Sequence, residues 1–456
     1  MAAAILIFYN FDFGFRVTAD QREYTYWAIT LSPLDCFKKG MDLARYHGRI
    51  GITFGFLLNV FGGWIGDMWF YPFLCIGIFI SIFGSFYFWV QFVSGSKVAL
   101  ALSAVYLALL PAGLHHWLPN AYPMLFFPLA IGLLSRLGFQ SFYGSPQFGL
   151  WAKGVLSIGI FAAAISFEES LILLLTMAAF EAFVYLLNIK SLSNRISAGY
   201  LVWQGGMLAA ASASYLLYRF LNPSAYPGNQ LPIDGFSDQV MVTLFHLYHA
   251  MSIDNIWSAN WAELFSTQLQ IAEAFIVFLG LSTIIATSRF EKKNWQVFVV
   301  LGCALAIFTT VPIAANHKYI SWCLIGRECT YLDARFSLIG LTLALFFAVA
   351  GLLPKSVFRT GFALVVGLVG AMTFLVNTSI RTDLQSVNAA DSAAKTYVCK
   401  VGEQTAADIG LIKQLITLDR APPPATFHPF YDHGYKVSYW ERYLEHLRHS
   451  PFWLCP

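Results

Sequence analysis

The stretch that decides the fold covers residues 155–187 and reads VLSIGIFAAAISFEESLILLLTMAAFEAFVYLL. Two apolar runs, at 155–167 and 171–187, flank a turn that carries the carboxylates of Glu168 and Glu169. A helix of about 20 apolar residues crosses the roughly 30 Å hydrocarbon core of a bilayer. The stretch therefore predicts two membrane-spanning helices joined by a tight acidic turn.

The composition of the whole chain is that of an integral membrane protein. Hydrophobic residues make up 57% of its 456 residues and charged residues only 12%, and the mean hydropathy is +0.61. Repeated apolar runs in such a chain exclude a soluble fold. The net charge of +3 is small, and the chain has no basic block or nucleic-acid motif. This argues against nucleic acid as a partner.

The apolar runs predict an all-α polytopic membrane protein with about eleven transmembrane helices. The first run lacks the basic leader and cleavage site of a signal peptide, so we expect it to be a retained span. The run at 50–65 is apolar but interrupted by glycines, and we expect it to stay on the outer side, with surface-lying helices in the first outer loop. The predicted spans are residues 2–17, 70–92, 98–112, 121–137, 155–167, 171–187, 199–220, 271–288, 297–315, 336–353 and 361–376.

Lysine and arginine in the connections predict the orientation. Every second connection along the chain is basic, and basic connections are expected in the cytoplasm. This pattern also predicts a cytoplasmic amino terminus and a carboxyl terminus outside. The outer connections are then residues 18–69, 114–120, 168–170, 222–270 and 316–333. The residues that carry this prediction are Lys97, Arg136, Lys153, Lys190, Arg195, Arg289, Lys292, Lys293, Lys355 and Arg359.

Two regions follow from this layout: a membrane domain at 1–378 and a small outer carboxyl-terminal region at 379–456. Within the long outer loop, residues 240–256 are predicted to form a surface-lying helix that could serve as a lid.

Polar outer segments also contain two cysteine pairs, for which disulfides and reduced thiols are both compatible with the sequence. These pairs are Cys323 with Cys329 and Cys399 with Cys455.

The start of the first outer loop, TADQREYTYW at residues 18–27, opens the most polar run in the first two hundred residues. Dense charge beside a span is costly unless it is used or solvated. On a helix, Asp20 and Glu23 would share one face, where either could act as a catalytic base. The alternative is a capping box, in which Thr18 or Asp20 caps the helix and Glu23 lies three residues on.

Further polar groups fall on the same predicted side. The acidic turn and a histidine pair could bind a divalent cation such as Mn²⁺ or Mg²⁺, or orient an acceptor, although a hairpin tip that reaches water needs polar residues in any case. A second group is basic and suited to phosphate, because arginine matches phosphate oxygens in bidentate geometry. The first group comprises Glu168, Glu169, His115 and His116; the second comprises Arg335, Lys318, Arg327 and Arg49.

This layout resembles the GT-C class of membrane glycosyltransferases. An acidic residue at the outer end of the first span, then aromatic residues and a basic amphipathic stretch up to Arg49, is similar to the first external loop of that class. The sequence YLDARF at 331–336 is similar to the Tyr/Arg elements at the outer end of its late spans. Asp20-Gln21 departs from the paired acidic motif of many members and leaves Glu23 as the second carboxylate.

The resemblance implies a glycosyltransferase of a bacterial inner membrane with a periplasmic active site. It would move a sugar from a polyprenyl-phosphate donor to a surface glycan, such as O-antigen, or to a pilin-like protein. Asp20 would remove the acceptor proton, and the basic group would hold the donor phosphate.

Two other classes of protein remain as alternatives. An O-antigen polymerase or ligase relies on arginines in its largest outer loop, but no arginine lies between Leu221 and Ser288. A lipid or solute transporter would place ionisable residues at mid-bilayer in broken helices, for which Glu181 and Glu273 are the main candidates. No internal repeat supports the transporter.

Overall fold

The architecture of the chain is that of a helical bundle, seen here in a computed structural model. Several predicted segments, among them 2–17, 112–122, 325–333 and 379–456, lie outside the residues that the structure describes. Described are residues 27, 31–65, 70–111, 123–142, 149–187, 189, 196–226, 235–259, 261–265, 268–290, 294–316, 320, 323–324 and 334–378.

All regular structure in the described ranges is helical. Extended backbone pairs there in one isolated antiparallel bridge, between Lys97 and Arg289. The helices are α1 (Pro33–His47), α2 (Gly51–Ile65), α3 (Phe70–Ser94), α4 (Ala99–Leu109), α5 (Pro123–Phe142), α6 (Leu150–Ser166), α7 (Glu168–Leu186), α8 (Ala198–Leu221), α9 (Phe236–His249), α10 (Ile253–Ser258), α11 (Trp261–Leu264), α12 (Gln268–Thr287), α13 (Trp295–Ala314), α14 (Ala334–Leu352) and α15 (Lys355–Thr378).

Five of the described helices are long and apolar enough to cross a membrane, which makes the chain an α-helical membrane protein. These segments are Gly77–Ser94, Glu168–Leu186, Leu269–Thr287, Trp295–Ala314 and Lys355–Thr378. Each of the ten predicted spans after residue 70 coincides with a helix. The total of eleven crossings stays a prediction. Helices α4, α5, α6 and α14 contain shorter apolar segments, α8 is not among the candidate membrane spans, and residues 2–17 are not described.

The predicted end of the span at 121–137 was wrong. Helix α5 continues to Phe142, so Arg136 does not lie in a connection. Its side chain is only 1% exposed and pairs with Glu181 inside the bundle. An arginine this deep is tolerated because its charge is neutralised by a carboxylate within hydrogen-bond distance.

Helices α1 and α2 form an antiparallel hairpin in the first outer loop. The hydroxyl of Thr53 donates to the carbonyl of Gly40, and Cys36 packs against Phe56 and Val60. Helix α2 is continuous through its glycines and also packs on α5. Helix α1 is amphipathic, as a surface-lying helix should be, with Cys36, Gly40 and Ala44 on its buried face.

The tightest helix crossing in the described bundle joins α13 and α14. Gly302 faces the backbone of Gly340, and a Cβ at either position would lie within 2.6 Å of the other glycine's carbonyl oxygen. Ala306 and Ala344 follow one turn later on the two helices. Small residues spaced by four allow helix backbones to approach closely in a membrane, which explains this crossing.

The four helices that position the polar clusters are α5, α6, α7 and α8. Helix α6 packs against α5, α7 and α8, and α7 packs in addition on α13. The chain turns between α6 and α7 at Phe167, whose backbone is extended with φ −151° and ψ 154°. This turn places Glu168 at the first position of α7, at one end of the bundle.

Candidate functional site

Several predicted site residues lie outside the described part of the chain. These are Asp20, Glu23, His115, His116, Lys318 and Arg327. Arg335 lies in the first turn of α14, and only its backbone is described. The described site is therefore built from Arg49, Glu168 and Glu169 and from residues that the sequence did not single out.

Arg49 and Glu168 belong to different predicted groups, yet they form one ion pair. The Arg49 Nε donates to Glu168 Oε1 at 3.2 Å and lies 2.9 Å from Oε2. The side chains are 24% and 21% exposed, respectively. The pair joins the α1–α2 turn to the tip of the α6–α7 hairpin, 119 residues further along the chain.

A second arginine approaches the same carboxylate from the end of α8. The Arg219 Nη1 lies 3.6 Å from Glu168 Oε1 and donates to the carbonyl of His47 at 3.0 Å. It also contacts the carbonyl of Gly48 at 3.4 Å. Arg219 therefore binds the carboxylate and the end of α1 at the same time. We refer to Arg49, Glu168 and Arg219 as the outer charge cluster, because Arg49 and Glu168 lie in connections that the sequence predicts to be outside and Arg219 lies at the end of the predicted span that leads into another.

Two glycines allow the backbones around this cluster to meet. Gly48 ends α1 in the left-handed region, with φ +65°, and a Cβ there would lie 2.8 Å from the carbonyl oxygen of Asn222. Gly51 packs directly on the backbone of Ser166. Glycine adopts positive φ without steric cost, so the chain turns sharply enough for Arg49 to reach Glu168.

Buried polar groups surround the cluster. Glu169 is 7% exposed and Tyr215 is 5% exposed. The Tyr215 hydroxyl faces the Glu168 carboxylate, which is the acceptor within its reach. Buried hydroxyls ordinarily have such a partner, because it compensates for their desolvation.

An aromatic group borders the outer charge cluster. The rings of His47 and Tyr226 have centroids 4.6 Å apart, and Tyr46 meets His47 edge-on at 5.1 Å. The backbone amide of Ala225 donates to the carbonyl of Tyr46, which holds the segment after α8 against the end of α1. Such rings could contact a sugar face or line the membrane interface.

Two titratable groups of α1 have shifted pKa values. Hydrogen bonds from Ser32 and Lys38 lower the pKa of Asp35, which lies in the first helical turn. Burial raises the pKa of the Cys36 thiol, and the charge of Asp35 adds to that effect. Both shifts belong to the anchoring of α1 and not to the outer charge cluster.

No group of three or more His, Cys, Asp and Glu that could hold a metal occurs among the described residues. The described neighbours of Glu168 are cations, which compete with a metal for its oxygens. The predicted histidines His115 and His116 lie outside the described ranges, so the Mn²⁺ or Mg²⁺ prediction stays a prediction.

A second polar cluster lies inside the bundle, about 13 residues and hence roughly 20 Å along α7 from Glu168. Glu181 is fully buried and accepts from Arg136 at 2.7 Å, from the indole of Trp89 at 2.7 Å and from Gln140 at 2.9 Å. The Arg136 guanidinium also lies 5.2 Å from the centre of the Trp89 ring. Gln204 bridges Arg136 and Glu181 when its amide is oriented to satisfy both.

The arginines Arg136 and Arg219 were missed as partners for different reasons. Arg136 was interpreted as a loop residue, and Arg219 has the ordinary place of a basic residue in the last turn of a helix. The sequence signal for both arginines was a charged residue near the end of an otherwise apolar run. The position of such a residue in the sequence does not indicate which helix carries the acidic residue that it pairs with.

The fold and both clusters define an α-helical polytopic membrane protein with ion pairs at one end and in the interior of its bundle. The chain matches no protein-family model, no curated protein and no solved structure.

Proposed function

We propose that the chain is a glycosyltransferase that takes a sugar from a polyprenyl-phosphate donor and passes it to a surface glycan or protein. It would act at the periplasmic face of a bacterial inner membrane. The observation that carries this proposal is the outer charge cluster, where Arg49 and Arg219 converge beside the end of a membrane helix.

The reaction needs positive charge for the leaving phosphate at a depth that a lipid can reach. Arg49 and Arg219 are both partly exposed and lie at the ends of α1 and α8. Arginine binds phosphate oxygens through two N–H groups, and such pairs are stronger at low dielectric. In this proposal Arg335, Lys318 and Arg327 contribute to the same phosphate.

The reaction also needs a base for the acceptor hydroxyl. Asp20 has this role, with Glu23 as the second candidate, because both precede α1 in the same outer loop. The disulfide-bonded state of Cys323 agrees with an oxidising compartment on this side of the membrane. The predicted partner, Cys329, lies outside the described ranges.

The test is sugar transfer by the full chain in detergent, with a panel of polyprenyl-phosphate sugars and a membrane extract as acceptor. Released polyprenyl phosphate and acceptor-bound sugar are both measured. Asp20→Asn should lower transfer about 100-fold or more, since a general base contributes roughly that factor. Asp42→Asn, which removes an exposed carboxylate paired with Arg45, is the matched control and should leave transfer unchanged.

Two outcomes would contradict parts of the proposal. Unchanged transfer by Asp20→Asn would exclude Asp20 as the base and direct attention to Glu23. No transfer from any donor by a folded wild type would refute the glycosyltransferase and favour a transporter, for which flux across vesicles is the next measurement.

A further inference from the structure

Two guanidinium groups of the outer charge cluster converge on one carboxylate. Arg49 and Arg219 share the two oxygens of Glu168, and the buried Glu169 follows in the chain. A phosphate monoester near neutral pH carries nearly two negative charges and three acceptor oxygens. A phosphate would therefore offer the two arginines one acceptor oxygen more than the Glu168 carboxylate does.

We infer that Glu168 occupies a phosphate-monoester site in the ligand-free protein and must leave the two arginines before that ligand binds. This inference deepens the proposed function, since it names a regulation of the same site. The ligand class is a phosphate monoester, which in the proposed reaction is the released polyprenyl phosphate and not the phosphodiester donor; it lies either at the head of a lipid or free in solution.

The geometry of the carboxylate supports an exchange. Both Glu168 oxygens lie within 3.6 Å of an arginine nitrogen, as two oxygens of a phosphate would. The Arg49 and Arg219 side chains are 24% and 29% exposed, so a ligand can approach them without unfolding of the hairpin. Glu168 is also the first residue of α7, so no preceding turn of that helix surrounds its side chain.

Tyr215 adds a donor to the same place. Its hydroxyl is buried and faces the Glu168 carboxylate, with which it interacts. Phenol is a donor that a phosphate oxygen can accept from. When Glu168 leaves, an oxygen of the phosphate would replace the carboxylate as the acceptor for this hydroxyl.

Arg219 connects this exchange to the first outer loop. It holds the carbonyls of His47 and Gly48 as well as Glu168. When Glu168 leaves, Arg219 keeps its bonds to the end of α1, so the bound phosphate remains attached to the loop that carries Asp20. The Glu168 carboxylate therefore occupies the position in which a phosphate would be held against the end of α1 by Arg219.

The test measures binding to the full chain in detergent and needs no sugar transfer. The probes are farnesyl phosphate and inorganic phosphate, each titrated into wild type, Glu168→Gln and Arg219→Gln. Asp42→Asn and Arg45→Gln are the matched controls, because they remove an exposed acid and an exposed base of α1 that pair with each other.

Glu168→Gln should bind the probes about 5- to 10-fold more tightly than wild type. Only wild-type molecules in which Glu168 has left the arginines can bind the probe, and this lowers the apparent affinity. The substitution removes the competing carboxylate. Arg219→Gln should bind at least about 10-fold more weakly, because a charge-assisted bidentate partner is lost. Both controls should bind as wild type does.

The two probes distinguish the source of the phosphate. A gain limited to farnesyl phosphate assigns the site to a lipid-linked ligand, and an equal gain for inorganic phosphate assigns it to a free one. Equal or weaker binding of both probes by a folded Glu168→Gln protein would refute the inference. If that variant does not fold, Glu168→Ala, which also removes the carboxylate, replaces it, and unchanged or weaker binding would have the same meaning.

Failure of this inference and failure of the proposed function can be told apart. If wild type transfers sugar but Glu168→Gln shows no gain in probe binding, the proposed function stands and the competing role of Glu168 is refuted. If Glu168→Gln binds the probes more tightly but no donor supports transfer, the phosphate site stands and the glycosyltransferase proposal is refuted.

Discussion

Arg136 and Glu181 are 1% and 0% exposed and lie 2.7 Å apart in the interior of the bundle. Trp89 and Gln140 donate to the same carboxylate, so its oxygens are saturated. A buried pair of this kind need not add net stability, but loss of one partner leaves an uncompensated charge. The interior cluster therefore has a structural role, because its hydrogen bonds connect α3, α5 and α7.

Arg136→Met should lower the free energy of unfolding by about 3–5 kcal/mol, because Glu181 is left without its counter-charge. The double variant with Glu181→Leu should recover most of that loss, since no buried charge remains. Chemical denaturation in detergent measures all three proteins. Additive effects of the two substitutions would contradict a structural pairing, and Lys38→Met, in an exposed pair, serves as the control with no measurable change.

The α1 helix depends on a local pair of residues at its start. The Ser32 hydroxyl accepts from the backbone amide of Asp35 and donates to its carboxylate at 2.7 Å. This is the arrangement of an N-cap, which supplies a partner to an otherwise unsatisfied amide. The acidic residue in the first turn also interacts favourably with the helix dipole.

Acid should weaken the docking of α1. The pKa of Asp35 lies below its ordinary value of 3.8 in the folded chain, so its contribution is complete above that value and is lost as the pH falls through the folded pKa. Hydrogen exchange of residues 33–47, corrected for intrinsic pH dependence, should be constant from pH 7 to about 5 and rise below about 4. The same rise in Asp35→Asn would assign the acid effect to another group.

Helix pairs in the bundle differ in how closely they approach. Gly302 and Gly340 face one another across α13 and α14, whereas Gly205 on α8 has no neighbour within 4 Å of a built Cβ. Glycine in a helix is intrinsically unfavourable, so its presence at a crossing indicates a need for space. The two sites therefore provide an internal comparison.

Gly302→Ala should destabilise the protein by about 1–3 kcal/mol, because the added methyl would force α13 away from α14. Gly205→Ala should be neutral or stabilising by up to about 1 kcal/mol, through helix propensity alone. Thermal unfolding in detergent compares the two variants. Equal melting temperatures would show that the α13–α14 crossing is looser than described.

Over the whole molecule, connections that are distant in sequence meet at common ends of the bundle. Lys97 and Arg289, both in predicted cytoplasmic connections, are bridged through their backbones. Ser252 of the long predicted outer loop donates its amide to Leu109 at the end of α4 and shares a hydroxyl contact with Thr373. The grouping agrees with the predicted alternation, while the assignment of the inner face stays a prediction.

Reporter fusions test that assignment. Alkaline phosphatase fused after Tyr226 should be active, and the same enzyme fused after Lys97 should be inactive, because basic connections are retained in the cytoplasm. Cell-based phosphatase activity, normalised to fusion abundance, is the measurement. The reverse pattern would invert the orientation and place the outer charge cluster in the cytoplasm.

The sequence by itself determined the class of protein, the approximate positions of the ten helices that coincide with predicted spans, and the acidic hairpin tip at Glu168. Lengths of apolar runs are sufficient for this, because a bilayer demands about 20 apolar residues per helix. The amphipathic surface helix of the first loop was also predictable from its charges. The end of α5 was not, because a buried arginine has the same appearance in sequence as one in a loop. The surface helix expected at 240–256 is instead two helices, α9 and α10, and α11 was not predicted.

Only the tertiary structure decided which charges meet. Arg49 lies 119 residues from Glu168, and Arg136 lies 45 residues from Glu181. Whether such side chains touch depends on how each helix is rotated about its axis and on which helices are neighbours. Apolar run lengths contain neither quantity, since a span of given length crosses the bilayer equally well in any rotation. Packing at Gly48 and Gly51 brings the α1–α2 turn against the ends of α8 and α6, and this allows the outer charge cluster to form.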